Sequence, residues 1–282
     1  MLETAAIRTI PLPSGEPIPV LGQGTWRLAE GLSLRQDEIA AIQLGLELGL
    51  TLIDTAEAYG DGSAEELVGE AIAGRRDEVF LVSKVLPANA SRHGTIEACE
   101  RSLKRLRTDR LDLYLLNWRA LLPLEPTVEA FTELVEAGKI RHWGVSNFAV
   151  IDLGELMTFA GEAVETDQVI YNLAHRGIEF DLLPWCRDRG LPVMAYAPID
   201  QGLLLDDVAV RAVALRRDAT PAQVAIAWVL RQDGVSAVVR AGTPAHVREN
   251  RAALDLELTK DDLATLDQEF PPPTSPEPLE IL

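Results

Sequence analysis

Leu52-Ile53-Asp54-Thr55 is the first of four segments that decide the fold of this chain. The other three are Leu81-Val82-Ser83-Lys84, Leu113-Tyr114-Leu115-Leu116-Asn117 and Gly144-Val145-Ser146-Asn147. Each is an apolar run that ends on a polar or ionisable residue. Such a run is typical of a buried parallel strand whose C-terminal end brings one functional side chain to a shared mouth. The segments therefore predict a parallel sheet with functional groups gathered at one end.

Candidate strand ends recur along the whole chain. They are Gly24, Asp54, Lys84, Asn117, Ser146, Gln168, Tyr196 and Arg240. Most neighbouring ends lie about 30 residues apart, the length of a strand–helix–strand unit. Repeated units of this kind predict an α/β fold, a (β/α)8 TIM barrel, and residues 8–20 predict a short N-terminal β-hairpin before it. An open doubly wound sheet is the alternative, but Gly22-Gln23-Gly24 is followed by Arg27 where its third glycine belongs.

Some of the intervening helices have recognisable ends. Ser63 and Glu66 predict a capping box that opens a helix over residues 65–73. Apolar residues at helical spacing predict a helix over 37–48 that stops at Gly49. Thr220-Pro221-Ala222-Gln223 predicts a cap and a first-turn proline before a helix over 224–232.

Length and composition indicate one globular domain over residues 1–282, with 271–282 as a proline-rich C-terminal tail. The chain has 282 residues, 47% hydrophobic and 25% charged, which suits an undivided α/β barrel. Its net charge of −18 argues against nucleic acid or an anionic membrane as a partner. We expect neither a membrane span nor export, and therefore a cytoplasmic location. Cys99 and Cys186 are expected to be reduced thiols, with no metal site, and nothing indicates the oligomeric state.

The strand ends carry a set of residues suited to proton transfer. Asp54, Lys84 and Asn117 converge in the predicted barrel, and Tyr59 follows Asp54 on the next loop. A cationic lysine beside a tyrosine lowers the phenol pKa toward a useful range, and an aspartate can keep that lysine charged. The set suits a tyrosine acid beside a carbonyl group. The residues alone leave an alternative open, in which Asp54 and Lys84 are a structural pair and Tyr59 is a wall residue.

Longer motifs resemble the aldo-keto reductase family. They are Gly22-Gln23-Gly24-Thr25-Trp26, Leu52-Ile53-Asp54-Thr55-Ala56-Glu57-Ala58-Tyr59-Gly60, Leu81-Val82-Ser83-Lys84, Gly144-Val145-Ser146-Asn147-Phe148, and Arg240-Ala241-Gly242-Thr243-Pro244 with Glu249-Asn250. The similarity runs from Ile18 to Asn250 in the family's order, and the chain looks like a bacterial aldehyde or diketone reductase of that family. The resemblance implies a barrel that holds an extended nicotinamide dinucleotide and reduces a small-molecule carbonyl substrate.

The same resemblance implies a role for each matched residue. Tyr59 would be the general acid, Lys84 its partner, and Asp54 the partner of Lys84. Tyr196 matches the residue that stacks on the nicotinamide, and Trp26, Tyr59 and Trp118 would shape the substrate pocket. The implied cofactor contacts are Gly24, Thr25, Trp26, Asp54, Ser146, Asn147, Gln168, Tyr196, Pro198, Gln201, Leu203, Arg240, Gly242, Thr243, His246, Glu249 and Asn250. For Ser146, Asn147 and Gln168 a purely structural role, as a turn pair and a barrel hydrogen bond, is the alternative.

Two positions depart from the family pattern. Asn117 stands where the family usually has a catalytic histidine, and an amide can polarise a carbonyl but cannot titrate near neutral pH. Asn117 therefore motivates a second hypothesis, a cofactor-binding sensor or assembly subunit with slow or no turnover. At the adenosine end, Arg240 and His246 replace the family's lysine and arginine. Arginine binds phosphate strongly, so we predict NADPH (NADP+) as cofactor, with NADH as the alternative.

Overall fold

A computed structural model describes residues 7–31, 35–119, 123–161 and 163–282 of the chain. Eight parallel strands close into a barrel in the order β10-β3-β4-β5-β6-β7-β8-β9, and β1 pairs with β2 in a separate antiparallel hairpin. The strands are β1 (Thr9–Pro11), β2 (Pro17–Pro19), β3 (Leu21–Gly24), β4 (Leu52–Asp54), β5 (Phe80–Val85), β6 (Leu111–Leu116), β7 (Ile140–Ser146), β8 (Asp167–Ile170), β9 (Val193–Tyr196) and β10 (Val235–Arg240). The predicted (β/α)8 barrel and its hairpin are confirmed, and the open doubly wound sheet is wrong because β10 pairs with β3.

Helices cover the outside of the barrel. They are α1 (Arg35–Glu47), α2 (Ser63–Ala71), α3 (Arg92–Leu106), α4 (Glu125–Glu136), α5 (Val150–Ala160), α6 (Leu182–Asp188), α7 (Val208–Arg216), α8 (Pro221–Leu230), α9 (Pro244–Ala252) and α10 (Lys260–Glu269). Among the described residues, none of these helices combines the length and the apolar character needed to cross a bilayer.

Helix ends follow the predicted signals with one exception. The Thr220 hydroxyl accepts from the Gln223 amide at 3.3 Å and Gln223 Oε1 accepts from the Thr220 amide at 2.9 Å, so this capping box is confirmed. The capping box predicted at Ser63 is wrong. Ser63 is the first residue of α2, and Gly62 precedes it with a left-handed φ of +90°. The turn Gly60-Asp61-Gly62 is left-handed throughout, so backbone geometry rather than a side-chain cap starts this helix.

The barrel interior is filled by side chains that point inward from alternate strand positions. The interior cluster consists of Leu52, Phe80, Val82, Leu113, Leu115, Met194 and Val238, together with Leu12 and Ile18 from the hairpin. The hairpin therefore closes the amino-terminal end of the barrel. Ser14 holds it there by donating its amide to Glu165 at 3.1 Å, and Glu16 contacts His142 of β7 at 2.6 Å. Because these apolar layers fill the lower barrel, the polar residues next along each strand lie at the opposite, carboxyl end.

Candidate active site

The carboxyl ends of the strands bring the predicted polar residues to one rim. Strand pairing places Gly24 beside both Asp54 and Arg240, and Ser146 beside Gln168. Lys84 lies two residues beyond Val82, which pairs with Asp54, so it stands one layer above the apolar interior. Alternate residues of each strand point into the barrel. The same alternation that fills the interior with Leu and Val therefore also places these polar side chains at the mouth.

Lys84 is the centre of a buried polar cluster at this mouth. Its side chain is 1% exposed, and its Nζ lies 2.8 Å from the carboxylate of Asp54. The same ammonium donates to the carbonyl oxygen of Thr55 at 3.0 Å and to the hydroxyl of Tyr59 at 3.1 Å. All three partners come from β4 and the loop that follows it. The structure thus brings Asp54, Tyr59 and Lys84 into contact, as predicted.

The loop that carries Tyr59 is fixed from both sides. Thr25, which follows β3, donates both its amide and its hydroxyl to the carbonyl oxygen of Asp54 at 3.0 Å. Glu57 is buried and accepts from the Leu86 amide at 2.8 Å and from Asn89 Nδ2 at 2.9 Å, which ties the loop after β4 to the loop after β5. Sequence reasoning gave Glu57 no role. The sequence feature that points to Glu57 is a lone carboxylate between small residues in the loop after β4. A carboxylate buried in such a loop must accept several hydrogen bonds.

The charges of this cluster set its protonation. Burial raises the pKa of the Tyr59 hydroxyl above its ordinary 10.0, and the Lys84 ammonium opposes that rise without cancelling it. Lys84 does act to lower the pKa of Tyr59, as expected, but desolvation of the phenolate is the larger effect and the net shift is upward. Burial has the largest single effect on the pKa of Lys84 and acts to lower it, but Asp54 and Tyr59 together more than offset that effect, and the net pKa lies above 10.5. At neutral pH the cluster holds a neutral phenol beside an ammonium ion.

Gln168 joins this cluster from the far side of the barrel. Its Nε2 donates to Asp54 Oδ1 at 2.8 Å and lies 2.9 Å from the sulfur of Met194. The backbone carbonyl of Gln168 accepts from the Ser146 hydroxyl at 2.7 Å. Asp54 is therefore held by Lys84 on one side and by the Gln168 amide on the other, and this second contact is a barrel hydrogen bond of the kind named as the structural alternative for Gln168.

Asn147 organises the neighbouring part of the rim. Its φ is +59°, a left-handed conformation that asparagine tolerates better than most residues. From there Nδ2 donates to the carbonyl oxygen of Asn117 at 3.0 Å, and Oδ1 accepts from the Tyr196 hydroxyl at 3.0 Å. The side-chain amide of Asn117 itself makes no hydrogen bond to any residue that the structure describes. This amide is thus left available to a ligand.

Aromatic residues stand near the same end of the barrel. Trp26 follows β3 and Trp118 follows β6, and each side chain is 39% exposed. The guanidinium of Arg27 lies 4.3 Å from the ring centroid of Trp26. Tyr196 ends β9, and burial raises the pKa of its hydroxyl to about 12, so it remains a hydrogen-bond donor. These rings offer flat apolar surfaces beside the polar cluster.

A separate group of polar residues surrounds the start of α9. Thr243 caps this helix by accepting the His246 amide at 3.3 Å, and Arg240 is exposed at the end of β10. A Cβ on Gly242 would lie 3.5 Å from Arg240 Nη2, so the guanidinium lies close against this turn. His246 is exposed and Asn250 is buried, while the carbonyl of Glu249 accepts from Gln223. Arg251, on the same helix, is 8% exposed and so does not lie on a solvated face.

Further predicted contacts lie on the loop after β9. Pro198 follows the left-handed Ala197, and Gln201 and Gly202 have φ values of +53° and +99°. Leu203 is 75% exposed. Consecutive left-handed residues turn the chain sharply, which keeps this loop close to the rim that it leaves.

The donor set suits a nicotinamide dinucleotide. Ser146, Asn147 and Gln168 cluster as neutral groups that can both donate and accept, which is what a carboxamide requires. An exposed arginine beside a helix N-terminus suits a phosphate. The tyrosine ring between these two regions can pack against a flat heterocycle. The residues present at both ends therefore match the chemistry of the cofactor.

These features define a (β/α)8 barrel enzyme with its reactive groups at the carboxyl ends of the strands. The chain belongs to the aldo/keto reductase family, whose family model matches residues 20–269. It is therefore an oxidoreductase, and the resemblance seen in the sequence is confirmed.

Close relatives extend the comparison over nearly the full chain. Methylglyoxal reductase YeaE of Escherichia coli (strain K12) is 49% identical over 271 residues, covering 94% of this chain and 95% of that protein. The crystal structure of an aldo/keto reductase from Klebsiella pneumoniae with NADP and acetate is 47% identical, has a TM-score of 0.94 and covers 98% of this chain and 100% of its own. A structure of an aldo-keto reductase from the same organism with NADPH has a TM-score of 0.95, with equal identity and coverage.

Proposed function

We propose that this chain is an NADPH-dependent reductase of small aldehydes and ketones, and that dicarbonyls of the methylglyoxal type are its preferred substrates. The single observation that carries the proposal is the Tyr59 hydroxyl 3.1 Å from a fully buried Lys84 ammonium. The 49% identity to a methylglyoxal reductase supports the substrate class, and the NADP and NADPH complexes of similar structures support the cofactor. On the sequence evidence we expect the protein to work in the cytoplasm.

Tyr59 is suited to the role of general acid. Reduction of a carbonyl adds a hydride to carbon and a proton to oxygen, which leaves an alcohol. The bound reduced nicotinamide would supply the hydride. A phenol with its ordinary pKa of 10.0 is already protonated at neutral pH and burial raises that pKa further, so the Tyr59 hydroxyl has a proton to give.

Lys84 and Asp54 support that transfer without being consumed. As Tyr59 gives up its proton it becomes a phenolate, and the ammonium 3.1 Å away stabilises this developing charge. Asp54 and Thr55 hold the ammonium in place, so the positive charge is oriented before the reaction begins. The phenolate then recovers a proton from solvent.

Asn117 can assist by polarising the substrate. Its side-chain amide is not engaged by other residues that the structure describes, and it can donate a hydrogen bond to a carbonyl oxygen. It cannot carry a charge, so it adds no titrating group to the pH profile of the reaction.

Arg240 is the residue that we propose for the choice of NADPH. It is exposed beside the N-terminus of α9 in a chain of net charge −18, so it supplies local positive charge where the whole molecule would repel an anion. An Arg240→Ala variant is expected to weaken NADPH binding by about tenfold or more and NADH binding far less, since a charge-assisted hydrogen bond is lost. Arg92→Ala, on an exposed arginine paired with Glu133 away from the loop after β9, is the matched control.

The proposed activity is tested by following the absorbance of NADPH with methylglyoxal, glyoxal and simple aldehydes. We expect turnover with NADPH to exceed turnover with NADH, and dicarbonyls to be reduced faster than simple aldehydes. Tight binding of NADPH with no turnover on this panel would instead favour the sensor or assembly subunit. Asn117 is the observation behind that second candidate, so Asn117→His provides its test. A large gain in rate in this variant would show that asparagine limits the reaction.

A further inference from the structure

We propose that His175 is a positioning residue that fastens the tail, residues 271–282, to the loop after β9, so that both segments hold the dinucleotide as one unit. The proposal deepens the proposed function and rests on it, because the loop after β9 carries Gln201 and Leu203, two of the contacts expected for the cofactor. Neither the family motifs nor the catalytic cluster includes His175.

The imidazole of His175 lies between two carboxylates from distant parts of the chain. Its Nδ1 is 2.6 Å from Glu280 Oε2 of the tail, and its Nε2 is 3.4 Å from Asp200 Oδ1 of the loop after β9. The His175 side chain is 20% exposed and that of Asp200 only 9%. One ring thus contacts both segments through its two nitrogens, and loss of either contact removes part of what orients the ring for the other.

His175 can act as a fixed anchor because its own backbone is held. Asn172 is completely buried, and its Oδ1 accepts from the amides of Ala174 at 2.9 Å and His175 at 3.0 Å. Its Nδ2 donates to the carbonyl of Ala197 at 2.9 Å, just after β9. The turn that carries the histidine is therefore bonded to the start of the loop that the histidine contacts.

The tail is seated along its length as well as at Glu280. A cavity beneath it is lined by Ile170, Ile178 and Leu182 from the barrel side and by Pro278 and Leu279 from the tail. At the far end, the Leu282 amide lies 3.4 Å from the hydroxyl of Tyr196. Tyr196 is the residue expected to stack on the nicotinamide, so the tail directly contacts a residue of the expected cofactor site.

The loop after β9 depends on contacts from outside the loop to keep its backbone conformation. Asp200 and Gln201 are non-glycine residues with φ values of +48° and +53°, and Gly202 follows at +99°. Left-handed backbone at non-glycine residues is strained and persists only where surrounding contacts enforce it. The contact from His175 to Asp200 is one such restraint, and Gln201 is the next residue. The tail, His175 and the loop therefore form one continuous chain of contacts from Tyr196 to Gln201, which is one of the expected cofactor contacts.

The test is a double-variant cycle read through NADPH release. We expect Glu280→Gln and His175→Ala each to raise the dissociation rate of NADPH by about two- to fivefold, the size expected for the loss of one partly exposed hydrogen bond. The double variant should be no faster than His175→Ala alone, and the rate of the chemical step in single turnover should not change. His175→Gln, which keeps one donor, should recover part of the loss. His93→Ala, on an exposed histidine paired with Glu97 on α3, is the matched control and should leave release unchanged.

Hydrogen exchange in the cofactor-free protein gives a second measurement that does not depend on activity. In His175→Ala, exchange should rise together in segments 197–205 and 277–282. Multiplicative effects of the two substitutions on release, or faster exchange in only one segment, would overturn the proposal. If the wild-type protein fails to bind NADPH, the proposed function falls, whereas the joint exchange of the two segments still decides whether His175 links them.

Discussion

Replacing Lys84 with methionine tests the energetics of the catalytic cluster. The ammonium is 1% exposed and binds Asp54, Thr55 and Tyr59, and methionine fills a similar volume without the charge. Removing one partner of a buried ion pair strands the other, which typically costs about 3–5 kcal/mol. Because Gln168 still donates to Asp54 at 2.8 Å, we expect Lys84→Met to lower the free energy of unfolding by about 3 kcal/mol, near the low end of that range.

The assay is urea unfolding, followed by tryptophan fluorescence, with two comparison variants. Lys139→Met removes an exposed pair with Glu100 at 2.9 Å, and we expect it to cost about 0–1 kcal/mol. The combined variant Lys84→Met with Asp54→Asn leaves no stranded charge and keeps an acceptor for Gln168, so its stability should return to within about 1 kcal/mol of wild type. If Lys84→Met is as stable as Lys139→Met, or if the combined variant is less stable than the single one, the reasoning is refuted.

Two further perturbations test the pH dependence of stability. The hydrogen bond to Glu165 raises the pKa of His142 above 6.5 despite burial. The contribution of His142 to the free energy of unfolding is therefore full below pH 6.5, and it is lost as the pH rises through the folded pKa. Urea unfolding across this range should show that loss in the wild type, and a His142→Gln variant that shows the same slope would contradict it. Burial acts to raise the pKa of Asp262, but hydrogen bonds from Thr259 and Arg217 hold that pKa at about 2. Asp262 therefore contributes to the free energy of unfolding above pH 3.8, and this contribution disappears as the pH falls toward 2. Asp262→Ala should cost about 1–2 kcal/mol at pH 7 because it removes a helix-capping acceptor and an ion-pair partner, and the difference should disappear in acid, as thermal unfolding can measure.

The barrel could be predicted because its parallel strands are buried on both faces. Runs such as Leu113-Tyr114-Leu115-Leu116 are continuous in apolar residues, and the first polar residue after each run marks where the strand reaches the mouth. The same argument placed Asp54, Lys84 and Gln168 at a common rim. Helix ends were predicted to within a few residues where a side-chain cap was present, as at Thr220, and were misread at Ser63, where left-handed glycines begin the helix.

Other features depend on distances that a linear pattern does not contain. The sign of the Tyr59 pKa shift depends on how far the phenol is desolvated, and the sequence shows only that a lysine is close. The hydrogen bond from Gln168 to Asp54 spans the barrel between residues 114 positions apart. The contact between His175 and Glu280 depends on the path of a tail that has neither helix nor strand to indicate its course. Each of these three features depends on distances that are set only in the folded barrel.

Single-turnover reduction of methylglyoxal by Tyr59→Phe, measured beside the wild type with saturating NADPH, tests the central claim most directly. This substitution removes only the hydroxyl that lies 3.1 Å from Lys84. We predict that NADPH binding is retained while the rate of reduction falls by about 100- to 10,000-fold, the contribution typical of a positioned general acid. A variant that binds NADPH and reduces methylglyoxal at the wild-type rate would contradict the account.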